Sequence, residues 1–272
     1  MKNIVLTIGT LIFSISFLLF LHQKREPDPA FISETIPAKI INSPENEVIT
    51  ATFAHTTPSI EEIFAKDHSK VASLSAKRMR TLIATGDVIP ARSVNYQTLK
   101  NNNFTWAWQK TAEFLKNADV TFINLEAPLL KNCPVTNEGM VFCGDSRHVE
   151  GMLLSGVDIV NLANNHLGNH GFEGVEETIS ILKRNGIEVT GSTNPTYMNV
   201  KGMKFAFLGY NEIGYKEQGV AWIEEETIKR EVSEAKEEAD VVIAAFHWGV
   251  EYVPQPTARQ REIAHLAIDC GA

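Results

Sequence analysis

The stretch Asn161-Leu-Ala-Asn-Asn-His166 directly follows the apolar run Val157 to Val160. A short run of this kind, bounded by polar residues, reads as a buried strand. Its end carries amides and an imidazole, groups able to bind a metal or handle a proton. Three other apolar runs end in a similar way. Leu82-Ile-Ala84 runs into Gly86-Asp87, Val120-Thr-Phe-Ile123 into Asn124-Leu-Glu126, and Val241 to Phe246 into His247-Trp-Gly249 and Glu251. Strand ends that present Asp, Asn, Glu and His predict one site assembled from distant parts of the chain.

Working outward, strand-like and helix-like segments alternate from about Lys77 onward. Strands are expected over Arg80–Thr85, Asp119–Ile123, Asp158–Leu162, Ile187–Thr190, Met203–Leu208 and Asp240–Phe246. Helices are expected over Phe104–Asn117, Val149–Ser155, Phe172–Asn185, Glu224–Glu238 and Thr257–Asp269. Val175, Ile179 and Leu182 fall near helical spacing, and Gly186 is placed as a C-cap. Such alternation predicts an α/β domain with a largely buried sheet. In sheets of this class ligands bind beyond the carboxyl ends of the strands. Each polar cluster named above falls on that side of its strand.

Bulk properties narrow the classes. A chain of 272 residues with 44% hydrophobic residues can bury a sizeable core, and a net charge of −8 argues against nucleic-acid binding by bulk electrostatics. Ile4 to Leu21 carries no charge and is rich in Ile, Leu and Phe, with Lys2 before it and Lys24 and Arg25 after. That length suits a short transmembrane helix, and no A-x-A cleavage site follows closely. The organisation expected is a signal anchor at 1–25, a polar Pro-containing linker at 26–76, and a folded domain at 77–272. The linker carries Pro27, Pro29, Pro37, Pro44 and Pro58, and a short helix over Ser59–Lys66 fits its cap-like start. The expected location is the cell membrane, single-pass, with the C-terminal domain extracytoplasmic. Cys133 and Cys143 flank a segment with a turn signal at Asn137-Glu-Gly139, where a hairpin would let them form a disulfide in an exported domain. Free thiols are the alternative there, and Cys270 reads as a packed thiol.

The chemistry offered is that of carboxylates, amides and imidazoles. Asp87 follows Gly86, which permits a tight turn, although an Asp that merely forms a turn is the commoner case. Asn124 and Glu126 can share one side of an extended segment. Asn164 and Asn165 offer amide oxygens. A neutral His166 or His247 offers a ring nitrogen, a donor set suited to zinc, manganese or iron. His166 is alternatively a proton donor. Glu251 can orient a ligating His247 or contact substrate, and Arg92 can receive an anion or remain solvated. His148, His170 and His265 read as structural or surface residues. No Walker or Rossmann glycine loop, G-x-S-x-G elbow or H-E-x-x-H helix is present.

At these residues the chain resembles the CapA family of capsule and poly-γ-glutamate synthesis proteins, within the calcineurin-like metallophosphatase superfamily. The blocks are Thr85-Gly-Asp-Val-Ile-Pro-Ala-Arg92, Asn124-Leu-Glu-Ala-Pro-Leu129, Asn161 to His166 with Gly171, and His247-Trp-Gly-Val-Glu-Tyr252 followed by Pro256 and Gln260. The resemblance implies a two-sheet sandwich flanked by helices (αββα). It also implies a divalent metal held by Asp87, Glu126, Asn165 and His247, and catalytic roles for His166, Glu251 and Arg92. Two departures stand out. Ile89 occupies the position where the superfamily has a histidine, and the chain stops at Gly271-Ala272, before a Gly-His-x-Pro-His block that the family carries. The domain is therefore expected to be incomplete at its C-terminus.

The implied activity is that of a membrane-anchored metal-dependent hydrolase or transferase. The implied partners are an anionic cell-surface polymer such as poly-γ-glutamate, the membrane, and other capsule-synthesis membrane proteins. A non-catalytic assembly or export factor is the alternative, and a phosphoesterase acting on nucleotides or phosphoproteins rests on superfamily analogy alone.

Overall fold

A computed structural model describes residues 79–272. The expected anchor, the linker and its short helix lie outside the described residues. Four parallel strands form the first sheet: β1 (Leu82–Val88), β2 (Val120–Leu125), β5 (Ile159–Asn161) and β6 (Glu188–Thr190), in the order β1-β2-β5-β6. Between β1 and β2 run α1 (Arg92–Asn101) and the short α2 (Ala112–Leu115). After β2 come β3 (Leu129–Leu130) and β4 (Gly144–Asp145), a two-stranded parallel pair, and then α3 (Val149–Leu154). The helix α4 (Gly171–Arg184) connects β5 to β6. The second sheet holds β7 (Thr196–Val200), β8 (Met203–Asn211) and β9 (Val241–His247). In it β7 is antiparallel and β9 parallel to the central β8. Helix α5 (Glu225–Glu238) crosses from β8 to β9, and α6 (Ala258–Asp269) follows.

The period-2 pattern of the strands explains the layering. On β2, Val120 and Phe122 pack with Ile159, Phe205 and Phe207 between the two sheets, while Ile123 and Leu125 face the opposite way, into a core shared with Met152, Val175 and Leu182 of α3 and α4. On β8, Phe205 and Phe207 face the first sheet. Ala206, Leu208 and Tyr210 face Ile228, Val232 and Ala235 of α5 and Ile263 and Ala267 of α6. The order is helix, sheet, sheet, helix, the αββα arrangement expected.

Several details differ from the sequence reading. Only Ala112–Leu115 of the expected helix 104–117 is helical, the preceding residues forming turns in which Trp106 Nε1 donates to Thr98 Oγ1 and Trp108 packs inward. Here burial of Phe104 and Trp108 overrides helical periodicity. Helix α1 was not anticipated; its mean polarity hides the short buried face of Asn95 and Thr98. Gly86 does not make a turn. It sits within β1 at a bulge, between Ala84 and Asp87, where the register with β2 shifts. Asp87 is thus a strand residue. The β1 edge is also more exposed than a buried sheet predicts, with Leu82 at 37%.

Strand register sets a polar row across the carboxyl ends of the first sheet, pairing Asp87 with Asn124, Asn124 with Asn161, and Asn161 with Thr190. In the second sheet Asn211 pairs with His247 at the same end. The two sheets approach closely there because β8 carries Gly209. A Cβ at position 209 would stand 1.9 Å from Asn161 Oδ1 and 3.1 Å from Gly191 Cα. Asn194 ties the junction together, its Oδ1 accepting from Thr190 Oγ1 and from the Gly191 and Gly209 amides and its Nδ2 donating to the Gly209 carbonyl. Gly209→Ala is expected to destabilise the domain by about 1–3 kcal/mol, the usual scale for overpacking, measured by urea unfolding. An unchanged midpoint would show that the sheets are free to separate at this end.

Candidate functional site

Asp87 enters from β1, Glu126 from the residue after β2, Asn165 and His166 from the loop after β5, and His247 from the end of β9. One ligand atom from each of Asp87, Glu126 and His247 lies within 4.8 Å of the others, a spacing that a single cation could bridge. His247 is central. Its Nδ1 is 3.6 Å from Asp87 Oδ1 and 3.4 Å from Asn124 Nδ2, while its Nε2 is 2.8 Å from Asn165 Oδ1 and 3.6 Å from Glu126 Oε1. His166 Nε2 lies 3.8 Å from Glu126 Oε1, on the other side of that carboxylate.

A set of amides, the half-buried Asn124 with the buried Asn161 and Asn164, holds these groups. Asn124 Oδ1 accepts from Asn161 Nδ2 at 2.9 Å and Asn164 Nδ2 at 3.2 Å. Since that atom accepts twice, the Asn124 NH2 is left to donate, and it does so to Asp87 Oδ1 at 2.6 Å. Asn164 also donates to the Leu125 carbonyl, and its own oxygen receives the His166 and Leu167 amides. Asn164 is therefore fully engaged in shaping the loop, and Asn165 is the amide that reaches the cluster. Asn161 plays the same supporting part, joining β5 to Asn124 and to the Ala163 amide.

The cluster opens into a cleft of about 530 Å³ bounded by Ile213, Phe246, the loop from Trp248 to Pro256, and Gln260. Its lining includes Asp87, Glu126 and Glu251 and, among the described residues, no lysine or arginine. Glu251 is exposed on the loop and faces the cleft without bonding His247. Arg92 lies outside the lining, with its guanidinium 5.8 Å from the centre of the Phe142 ring. Ile89, at the position where the resemblance predicts a histidine, lines a hollow beside β1 together with Trp108 and Phe114 and is not among the residues lining the cleft. His148 is buried against Asn95 Oδ1 at 3.0 Å, and burial lowers its pKa to about 4, which makes it a neutral structural residue. Cys133 and Cys143 are disulfide-bonded, and Cys270 packs beside the α5–α6 core. Asn169 and Phe142, neither anticipated, contact His166 directly; the one signal in the sequence was the i, i+3 spacing of Asn169 from His166.

Charge explains the state of the carboxylates. The His247 imidazole beside it holds Asp87 below the ordinary carboxylate range, with burial opposing and the hydrogen bond from Asn124 adding to the effect. Burial raises Glu126 to about 7; His247 opposes that shift, and the neighbouring carboxylates Asp87 and Glu251 add to it. The donor set of two carboxylates, an imidazole and an amide oxygen, with a buried acid and no local cation, fits a divalent metal. A raised folded pKa has a definite sign in stability. As pH rises through the ordinary carboxylate range, the unfolded chain releases a proton that the folded protein retains until about 7, so stability falls across that window and levels above it. Thermal melts of chelator-treated protein are expected to show this decline. Glu126→Gln should remove it, and an added divalent cation should reverse it by binding the ionised carboxylate. A melt that is flat with pH in the parent protein would overturn the assignment.

Residues 81–272 match the family described as bacterial capsule synthesis protein PGA_cap. The capsule biosynthesis protein CapA of Bacillus anthracis is 25% identical over 96% of this chain and 66% of its own length. The PGA biosynthesis protein CapA of Bacillus subtilis (strain 168) is 26% identical over 69% of this chain and 53% of its own length. The chain thus spans between half and two thirds of these relatives. A crystal structure titled as a novel phosphatase from Mycoplasma pneumoniae superposes with a TM-score of 0.43 at 15% identity, covering 70% of this chain and 62% of its own. With the match running from β1 to α6 and taking in the strand-end cluster, the chain belongs to the bacterial capsule synthesis protein PGA_cap family.

Proposed function

We propose that this protein is a metal-dependent hydrolase or transferase that acts on an anionic cell-surface polymer of the poly-γ-glutamate type. In this reading the segment Ile4–Leu21 holds it to the cell membrane as a single pass, with the folded domain extracytoplasmic. The observation that carries the proposal is the acidic cluster of Asp87 and Glu126 around His247, in a cleft that no lysine or arginine lines among the described residues. An anionic polymer would be repelled from such a cleft unless a cation occupied it, so metal binding and substrate binding are coupled. The polymer class comes from the names of the Bacillus relatives, which concern capsule and PGA biosynthesis. The Cys133–Cys143 disulfide supports an oxidising compartment.

Asp87, Glu126, Asn165 and His247 would hold the cation, of the manganese, zinc or iron type. Once bound, it would supply Lewis acidity at the scissile carbonyl or phosphoryl group and a water of lowered pKa. The chain's own residues do the rest. His166, buried at 7% exposure with Nε2 3.8 Å from Glu126, would in its doubly protonated form donate a proton from Nε2 to the departing group. Trp248, Val250 and Val253 wall the cleft, Gln255 and Gln260 offer amides to a polymer backbone, and Glu251 contacts the substrate at the rim. Other capsule-synthesis membrane proteins would supply or receive the polymer. A second reading, a non-catalytic assembly factor, draws on Ile89, which leaves a single metal position without the imidazole of the superfamily pattern.

Metal analysis of the full chain together with polymer turnover separates the two. Glu126→Ala and His247→Ala are expected to lose bound metal and turnover together. His166→Ala should keep the metal and lose turnover by about 10²–10⁴-fold, the usual contribution of a general acid. Turnover unaffected by His166→Ala, or polymer binding with no turnover in the parent protein, would transfer support to the assembly factor.

A further inference from the structure

The proton role given to His166 under the proposed function requires one particular ring nitrogen to face the cleft. We infer that Asn169 is the positioning residue that fixes the tautomer of His166, and that the disulfide-closed loop Cys133–Cys143 holds it in place through Phe142. The inference rests on the reading that His166 handles a proton, but its test does not depend on turnover.

Asn169 sits at the third position after His166, on the short turn of 3₁₀ helix Leu167–His170. Its Oδ1 lies 3.0 Å from His166 Nδ1 and receives the Phe142 backbone N–H at 2.6 Å. A backbone N–H can only donate, so the shared atom is the amide oxygen and not the nitrogen. His166 Nδ1 must then be the N–H that donates to it. The remaining nitrogen, Nε2, is the one that faces Glu126 and the cleft. The carboxylate–histidine pairs of many sites orient imidazoles in this way; here a neutral amide does so, and adds no negative charge to a cleft that already holds three carboxylates.

The amide oxygen stays in place because Phe142 does. The Phe142 ring stacks on the His166 ring at 3.7 Å between centroids and 14° between planes. Phe142 is itself buried, with Ala91 and Ala127, whereas the segment before it is exposed, Val135 at 58%, Met140 at 64% and Val141 at 60%. That segment has no packing of its own to hold its far end. Its anchors are the bond from Cys143 to Cys133, the contact of Asn95 Nδ2 with Cys133 Sγ at 3.6 Å, and the Gly144 amide on the Pro128 carbonyl. Opening the disulfide therefore removes the covalent anchor of the loop that presents both the stacking ring and the N–H fixing the amide of Asn169, and leaves Phe142 to its own burial and the β3–β4 pair.

Long-range ¹⁵N–¹H spectra of the full chain labelled in its histidines test this at a fixed pH where the rings are neutral. The His166 signals are assigned by their absence in His166→Gln. In the parent protein His166 is expected as the Nδ1–H tautomer, with a pyrrole-type Nδ1 shift and a pyridine-type Nε2 shift. Asn169→Asp, which keeps the acceptor, should retain that pattern. Asn169→Leu should move it towards the Nε2–H form with the amide spectrum of the rest of the domain preserved. Cys133→Ser with Cys143→Ser should shift the His166 ring protons as the stack is lost and give a mixture of tautomers. A parent protein already in the Nε2–H form overturns the inference without any variant, as does a tautomer indifferent to Asn169→Leu. A spectrum unchanged by loss of the disulfide overturns the part given to the loop. If the tautomer is as expected and turnover is absent, the positioning stands and the catalytic reading falls.

Discussion

The structure depends on Asn124 accepting two hydrogen bonds at one oxygen. That oxygen draws in Asn161 from β5 and Asn164 from the following loop, which leaves the Asn124 NH2 to face Asp87 on β1 and His247 on β9. A single half-buried amide thereby fixes the relative positions of three strands and one loop at the same end of the sandwich. Leaving such a group unpaired in the interior would cost about 1–3 kcal/mol, so the network is satisfied as a unit. The close approach of β8, allowed by Gly209 against Asn161 Oδ1, brings the second sheet near enough for His247 to join.

The surplus of negative charge follows from that geometry. Strand ends that converge bring Asp87 and Glu126 together around the imidazole of His247, and burial drives Glu126 towards its neutral form. Such a cluster destabilises the protein at higher pH in the absence of a cation and favours one when it is present. This trade of stability for binding is common where chemistry is performed. His166 sits apart from this charge competition, held by an amide and an aromatic ring and reaching the cluster only across Glu126.

Much of this was legible in the primary structure. Apolar runs ending in Asp87, Asn124-Leu-Glu126, Asn164-Asn165-His166 and His247 located the strands and the side of the sheet on which the site lies. Boundaries were less legible where tertiary packing outweighed local pattern. Trp106 and Trp108 break the expected helix to reach partners outside it, and α1 is held by the burial of Asn95 and Thr98, which no apolar stripe announces. Gly86 looked like a turn and is a bulge, because a glycine within a strand and one at its end have the same local sequence.

By itself, the sequence determined the α/β alternation, the polarity of the strand ends and the residue types available for chemistry, since these follow from periodicity and composition along the chain. Only the tertiary structure decided that Asn164 is taken up by the Leu125 carbonyl and its own loop, that Arg92 lies outside the cleft lining, and that Phe142 and Asn169 hold His166. The physical reason is that a hydrogen bond's direction and a ring's stacking partner depend on groups brought together from segments far apart in the chain. Periodicity carries no information about such pairs.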